Sequence, residues 1–204
     1  PKTPHMVSIL TGDIVQSRRS KPSVWLKALK KELDKIGPSP KKWEIFRGDS
    51  FQVELTQPED SFLTVMKIKA LLKAKSIDVR IAIGLGTKEH AAASITESNG
   101  QAFILSGEKF ESLKKEKQSL AIKTPSPEFD SDMNLILKLA SIAMSKWTAN
   151  SAEAVKIALE KPDLIQEDLG KKLGIKQNAV SGRLKRAYFD ELTEVDALFR
   201  KKIR

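Results

Sequence analysis

The chain contains no cysteine and only two histidines, and these absences exclude several kinds of chemistry. Without cysteine it forms no disulfide and uses no thiolate as a nucleophile or metal ligand. His5 and His90 lie far apart in sequence, so they do not have the spacing of a zinc site. A chain without cysteine is typical of the reducing cytoplasm, where we expect this protein to work.

Long apolar runs are missing as well. No stretch approaches the roughly 18 consecutive apolar residues of a transmembrane helix, and none has the composition of a secretory signal. There is also no basic amphipathic segment with aromatic anchors on its apolar side, so we do not expect binding at a membrane surface. These absences indicate a soluble protein.

Positive charge is what the chain has in excess. It has 204 residues, a formal net charge of +10 and 40% hydrophobic residues, with 30% charged residues in all. This length allows one large or two small domains, and the hydrophobic content is sufficient for a real core. A strongly basic balance favours an anionic partner, either nucleic acid or a phosphate-rich ligand.

Residues 166–187 (QEDLGKKLGIKQNAVSGRLKRA) have the pattern of a helix-turn-helix. Apolar positions recur at helical spacing on both sides of Gly174, and glycine suits the left-handed conformation that ends a helix. Gly170 stands where the two helices are expected to cross closely. Six basic residues and no acidic one lie within residues 169–189. The second helix of such a motif enters the major groove of DNA.

Two interpretations of this segment stay open. In one interpretation, the two amphipathic helices are an αα-corner that packs on the core, and their basic face contacts only solvent. Polar residues at the groove-facing positions favour DNA because they can hydrogen-bond base edges. Gly182 also favours DNA binding, because it leaves room for close approach of the helix to DNA. A glycine in an exposed helix costs about 1 kcal/mol relative to alanine, so its presence indicates a functional reason. The predicted base-reading residues are Lys176, Gln177, Asn178 and Ser181, and the predicted phosphate contacts are Arg183, Lys185 and Arg186. The segment GIKQNAVSGRLKRA also resembles the turn and recognition helix of many bacterial transcription regulators.

The N-terminal part alternates between strand and helix patterns, after a terminal tail at residues 1–5. Strands are predicted at 6–10, 43–46, 51–55, 79–85 and 119–123, and helices at 22–36, 58–74 and 101–113. A polar, basic connection at 14–21 separates the first strand from the first helix. The order β-α-β-β-α-β predicts a ferredoxin-like sandwich, with helices covering one face of an antiparallel sheet.

The proline-containing segment TPSP at 124–127 predicts a domain boundary, because no strand pattern follows it. The predicted fold class is therefore α+β, with a ferredoxin-like, cyclase-like domain at 6–124 and an all-α helix-turn-helix domain at 128–204. The helix predicted at 131–147 is so apolar that it should be covered on most sides, as ordinary core, by packing between the domains, or by a second protomer. The other candidate for a homodimer contact is the seam of Tyr188, Leu192, Val195 and Phe199.

Two aspartates define a candidate metal site. Asp13 follows the first predicted strand, and Asp49 lies in the turn of a predicted hairpin. In a ferredoxin-like sandwich these positions are neighbours, so the two carboxylates could hold a divalent cation such as Mg²⁺, which could bind the phosphates of a nucleotide. The alternative is that Asp13 caps a connection and Asp49 closes a Gly-Asp turn.

Two resemblances bear on these aspartates. Three segments resemble class III nucleotidyl cyclases in order and rough spacing: TGDI at 11–14, RGDSF at 47–51 and VRIAIGLG at 79–86. In that family the aspartates equivalent to Asp13 and Asp49 bind the two catalytic metals. Nearly the whole chain, including ESNGQAF at 97–103, is more similar to the bacterial SatD-like family, whose members are usually described as candidate regulators.

The chain departs from the cyclase pattern where catalysis would need it. Cyclases carry an asparagine and an arginine in the helix after the glycine-rich loop, and residues 100–110 put Ile104 and Glu108 in those places. An apolar group cannot hydrogen-bond the ribose, and a carboxylate repels a developing phosphate charge. The resemblance therefore implies a degenerate domain without catalytic residues, which senses a nucleotide-like ligand or serves as scaffold.

Three functions follow as hypotheses. The first is a DNA-binding transcription regulator, which we favour. The second is a metal-dependent nucleotidyl cyclase or nucleotide-processing enzyme that uses Asp13 and Asp49. The third is a protein-interaction module whose basic face is only solvated.

Overall fold

The computed structural model describes residues 5–15 and 21–204. Residues 1–4 of the predicted tail and 16–20 of the predicted connection lie outside the described residues. The strands are β1 (Met6–Val15), β2 (Trp43–Phe46), β3 (Ser50–Leu55), β4 (Asp78–Thr87) and β5 (Leu120–Lys123). The helices are α1 (Pro22–Leu33), α2 (Ser61–Lys73), α3 (Gln101–Glu116), α4 (Pro127–Ser145), α5 (Ala149–Glu160), α6 (Gln166–Leu173), α7 (Gln177–Arg186) and α8 (Phe189–Ile203). No helix within these residues combines the length and apolar character that crossing a bilayer requires.

The strands form one five-stranded sheet in the order β2-β3-β1-β4-β5. β1 pairs antiparallel with both β3 and β4, and β2 pairs antiparallel with β3. β5 pairs parallel with β4. The two strands are joined through α3, which returns the chain to the end of the sheet at which β4 began. The mixed α+β class is confirmed, whereas the expected all-antiparallel sheet is wrong for its last pair.

The two faces of the sheet carry different helices. Leu10 and Ile14 of β1 share a core with α1 and α2, and the hydroxyl of Ser61 on α2 donates to Ser8 Oγ at 2.7 Å. The alternate residues face α3, where Thr11 Oγ1 lies 2.6 Å from Ser106 Oγ. The expectation that helices cover one face is therefore correct for α1 and α2 and wrong for α3.

Gly84 on β4 allows the close approach of α3. A Cβ atom at this position would lie 2.3 Å from the carbonyl oxygen of Ala102, which is far inside contact distance. The absence of a side chain thus lets the backbone of α3 pack directly on the strand.

One continuous hydrophobic core joins the sheet to the C-terminal helices. α5 packs on α2, and nine of the thirteen residues of α2 are buried. At the other end of the chain, the Phe199 ring of α8 lies 6.3 Å from the Phe62 ring of α2. Arg200 Nη1 donates to Asp60 Oδ1 at 2.6 Å, just before α2 begins. The helical part is thus anchored to the sheet part through α5 and α8, and also through α4, which packs on β5, while the division at 124–128 stays a prediction.

Only one side of α4 is covered by the rest of the chain. Its inner side chains, such as Met133 and Leu137, are fully buried. On the outer side, Leu135, Leu139 and Ile142 are 62%, 61% and 51% exposed. The expectation that this helix is covered on most sides therefore fails within a single chain.

Candidate functional site

The turn between α6 and α7 depends on two glycines. Gly174 ends α6 with a φ of 66°, the left-handed conformation in which glycine carries no penalty. The chain then folds back, so that the amide of Ile175 donates to the carbonyl of Gly170 at 3.0 Å. A Cβ atom at residue 170 would lie 2.6 Å from the Ile175 carbonyl oxygen. Gly170 therefore makes room for the turn itself.

α7 is held by the side that carries Val180 and Leu184, both of which are buried. This side packs on α5 and α6. Just after α7, the indole Nε1 of buried Trp147 donates to the carbonyl of Ala187 at 2.8 Å. These contacts fix the orientation of α7 and leave its other side to solvent. Of the predicted DNA-binding residues, Lys176, Gln177, Asn178, Ser181, Lys185 and Arg186 are exposed, and Arg183 is half-buried.

The exposed residues of α7 do not all lie on one stripe. Asn178, Gly182 and Arg186 follow each other at four-residue spacing, opposite the buried Val180 and Leu184. A Cβ atom at residue 182 would meet only the end of the Arg186 side chain, at 3.2 Å. Packing within the chain therefore gives no reason for a glycine there.

Ser181 and Lys185 turn toward one flank of α7. They line a cavity of about 650 Å³, whose walls also include Leu63 of α2 and Phe189 of α8. These two side chains therefore lie between the cavity and the line of Asn178, Gly182 and Arg186.

The positive charges of α7 are not neutralised within the described residues. No carboxylate there lies within ion-pairing distance of Lys176, Arg183, Lys185 or Arg186. On α6, by contrast, Lys171 Nζ lies 3.1 Å from a Glu167 oxygen and 3.0 Å from an Asp168 oxygen. Lys171 is thus compensated within α6, whereas Arg183, Lys185 and Arg186 have no such partner on α7.

The sheet brings the two aspartates to one corner. Asp13 near the end of β1 pairs with Ser50 of β3, and the amide of Ile14 donates to the carbonyl of Asp49 at 3.0 Å. On the other side of β1, Asp13 pairs with Arg80 of β4. Arg80 Nε lies 3.8 Å from Asp13 Oδ1. The corner therefore already contains a cationic side chain.

Burial dominates the electrostatics of Asp13. It raises the pKa of this carboxyl above its ordinary value, and the nearby charges of Asp49 and Glu111 act in the same direction. Arg80 and Lys114 of α3 lower the pKa but do not outweigh burial. The Oδ1 atom is buried and accepts no hydrogen bond within the described residues.

A bound cation could satisfy this oxygen, since hard divalent cations prefer carboxylate ligands. However, no group of three or more histidine or acidic side chains among the described residues is arranged to hold a metal. A metal here would therefore rest on two carboxylates and on oxygens from water or a ligand.

The two departures from the cyclase pattern lie on the outer side of α3. Ile104 is 53% exposed, and a Glu108 oxygen lies 2.5 Å from Lys123 Nζ of β5. The cations near Asp13 are instead Arg80 and Lys114, which the sequence did not single out. Arg80 lies within the segment VRIAIGLG, but only the strand register shows that it stands beside Asp13.

A buried ion cluster was also missed from the sequence. Glu54 of β3 is 3% exposed, and its two oxygens accept hydrogen bonds from Lys42 at 2.7 Å and Lys88 at 2.5 Å. Burial raises the pKa of this carboxyl, but the two lysines outweigh burial and the net pKa is lowered. The cluster ties the ends of β2, β3 and β4 together.

Comparison with known proteins gives one family. The sequence model of the SatD family matches residues 7–191, which is more than half of the chain and includes the sheet as well as α6 and α7. No curated protein matches the chain.

Proposed function

The chain belongs to the SatD family, and we propose that it is a DNA-binding transcription regulator. In this proposal α6 and α7 form a helix-turn-helix that reads DNA, and the part that contains the sheet binds a nucleotide-like ligand or serves as scaffold. The observation that carries the proposal is the group of four cationic side chains on α7 and at the residue before it, which have no acidic partner within the described residues.

The dimensions and composition of α7 suit a major groove. Its ten residues span about 15 Å, and the groove is about 12 Å wide. Asn178 can make two hydrogen bonds to an adenine edge, and Gly182 beside it allows the helix backbone to approach the bases. Arg186, one turn further, can reach a phosphate or a guanine. The net charge of +10 favours association with any duplex.

The strand order supports the ferredoxin-like interpretation of the N-terminal part. The run β2-β3-β1-β4, with α1 and α2 on one face, is the arrangement expected for a split β-α-β sandwich. α3 and β5 extend it. The acidic corner at Asp13 and Asp49 lies on the opposite face, together with Arg80 and Lys114. These two cationic side chains could bind a phosphate-bearing ligand at the corner.

The test is fluorescence anisotropy on a duplex pool over a range of salt concentrations. We expect the parent to bind with an affinity that falls steeply with salt. Arg186→Ala should weaken binding and reduce the magnitude of the log–log salt slope by about one. Asn178→Ala should instead reduce the preference among sequences selected from the pool. Lys27→Ala removes the same charge from an exposed position on α1 and serves as the matched control.

Two results would contradict the proposal. One is the absence of salt-dependent binding by the parent, which would leave the basic face as a solvated surface. The other is a parent that binds while Arg186→Ala and Lys27→Ala weaken it equally, which would place the interface away from α7.

A second candidate function is supported by the unpartnered Oδ1 atom of Asp13. In this alternative, Asp13 and Asp49 hold Mg²⁺ or Mn²⁺ for the processing of a nucleoside triphosphate. Its test is pyrophosphate release from each of the four ribonucleoside triphosphates. Asp49→Asn should abolish the release, and Asp163→Asn, at an exposed position before α6, should not. No release from any nucleotide would reject this alternative.

A further inference from the structure

The exposed side of α4 carries a regular stripe. The stripe extends from the first turn of α4 to Lys146, the residue that follows the end of the helix. Along it, exposed positions follow each other at spacings of four, three, four, three and four residues. The three central positions are the apolar residues described above, which are more than half exposed. The stripe, which we call the α4 seam, consists of Glu128, Asp132, Leu135, Leu139, Ile142 and Lys146.

This spacing is the repeat of a helix–helix interface. Positions that alternate by three and four residues average 3.5 residues per turn, which keeps them facing a partner helix along the whole length. A solvated helix has no reason to place large apolar side chains at every central position of such a stripe. Of the nine exposed large hydrophobic side chains within the described residues, three lie on the α4 seam. Tyr188, another of the nine, lines a groove beside Leu139.

The charges at the two ends of the α4 seam identify the partner. Asp132 and Lys146 are exposed, and neither forms an ion pair within the described residues. Each lies seven residues from Leu139. When two copies of α4 lie antiparallel about a two-fold axis at Leu139, Asp132 of each copy faces Lys146 of the other. A parallel pair would instead place like charges together.

We propose that a second copy of this chain docks along the α4 seam in an antiparallel arrangement. A two-fold interface requires a surface that is complementary to itself, and a seam with an acidic end, an apolar centre and a basic end meets this requirement. The pairing needs only α4 and does not depend on DNA binding. If the chain also binds DNA, the axis relates two α7 helices, as recognition of two half-sites requires.

The first test is sedimentation equilibrium of the full chain without DNA. We expect the parent to dimerise. Leu139→Glu places two carboxylates against each other at the axis and should raise the dimer Kd by about a hundredfold. Val24→Glu, at a 47% exposed position on α1, should leave the Kd unchanged. Thermal unfolding of both variants checks that they remain folded, as surface substitutions should.

The second test is charge reversal, which probes the register. Asp132→Lys and Lys146→Glu should each raise the dimer Kd by about tenfold at low salt, because each creates two like-charge contacts. The double variant should return to the Kd of the parent. A double variant that dimerises no better than the single ones would overturn the antiparallel register.

The third test uses the absence of cysteine from the chain. Leu139→Cys places two thiols at the axis, so mild oxidation should give a disulfide-linked dimer, whereas Val24→Cys should form no disulfide-linked dimer under the same conditions. A parent that sediments as a monomer at every concentration would overturn the proposal. So would equal cross-linking of the two cysteine variants. Neither result would bear on DNA binding by α7.

Discussion

Asp13 illustrates how a single carboxyl can be held in an unfavourable setting. Its Oδ1 atom is buried and accepts no hydrogen bond within the described residues, and the nearest guanidinium nitrogen of Arg80 is 3.8 Å away. Burying a charge without adequate partners costs free energy, and such costs tend to be retained where a ligand offsets them.

The raised pKa of Asp13 predicts how Asp13→Asn changes stability. Between the ordinary pKa of an unfolded aspartate and the raised pKa of the folded chain, the folded state binds more protons. The free energy of unfolding therefore falls as pH rises through this window. At pH 7 the charged carboxylate costs stability, so the asparagine variant should have the higher melting temperature. Below the window the two should converge.

Thermal unfolding from acid to neutral pH measures this difference, with Asp163→Asn as the exposed control. A lower melting temperature for Asp13→Asn at pH 7 would mean that attraction to Arg80 outweighs burial.

Residues of the candidate site could be predicted from the sequence only where their position depends on neighbours along the chain. Asp13 and Asp49 were singled out because each follows a strand pattern or lies in a turn. Arg80 and Lys114 were not, because they reach Asp13 through the pairing of β1 with β4 and the packing of α3. Cross-strand register cannot be read from one strand at a time.

At the level of elements, α6 and α7 contain two glycines with different roles. Gly170→Ala should destabilise the fold by about 1–3 kcal/mol, because the added Cβ meets the Ile175 carbonyl oxygen at 2.6 Å. Gly182→Ala should stabilise the fold by about 1 kcal/mol, because alanine is the better helix former and only the end of Arg186 must move. Urea denaturation measures both effects, and each variant serves as the control for the other.

DNA binding separates the two glycines further. Under the proposed function, Gly182→Ala should bind DNA more weakly than the parent although it is more stable. If it is more stable and binds equally well, the glycine is not needed for approach to the bases.

The elements themselves were easier to predict than their positions. α6, the turn at Gly174 and α7 follow from local spacing and from one conformational preference. The placement of α3 opposite α1 and α2 does not, because it depends on Gly84 of β4 lying below Ala102. The exposure of α4 was also not predictable, since apolar composition does not show whether a helix is covered by its own chain.

For the whole molecule, the shared core predicts joint unfolding. Phe199 is fully buried at the end of the chain and contacts Phe62 of α2. Phe199→Ala should therefore destabilise the sheet and the helices together, by about 3–5 kcal/mol. Far-ultraviolet circular dichroism and tryptophan fluorescence should report one coincident transition in denaturant. Leu198→Ala, at a 36% exposed position, should change little.

Two separate transitions, with only one shifted by Phe199→Ala, would instead support independent domains at 6–124 and 128–204. The sequence indicated that boundary through prolines and the end of strand patterns. It contained no sign of the contact between α2 and α5, because contacts between distant segments leave no local pattern.

The position of α2 between the sheet and α5 also bears on inheritance. Recombination can move a domain between genes when the domain buries its own hydrophobic core, because it then folds without the rest of its original chain. Here a break after residue 124 would leave the α5-facing side of α2 without its cover. The junction is thus a poor place for exchange, and the two parts should be found together in descendants of one ancestral gene. The family match, which runs through both parts without interruption, agrees with such joint descent.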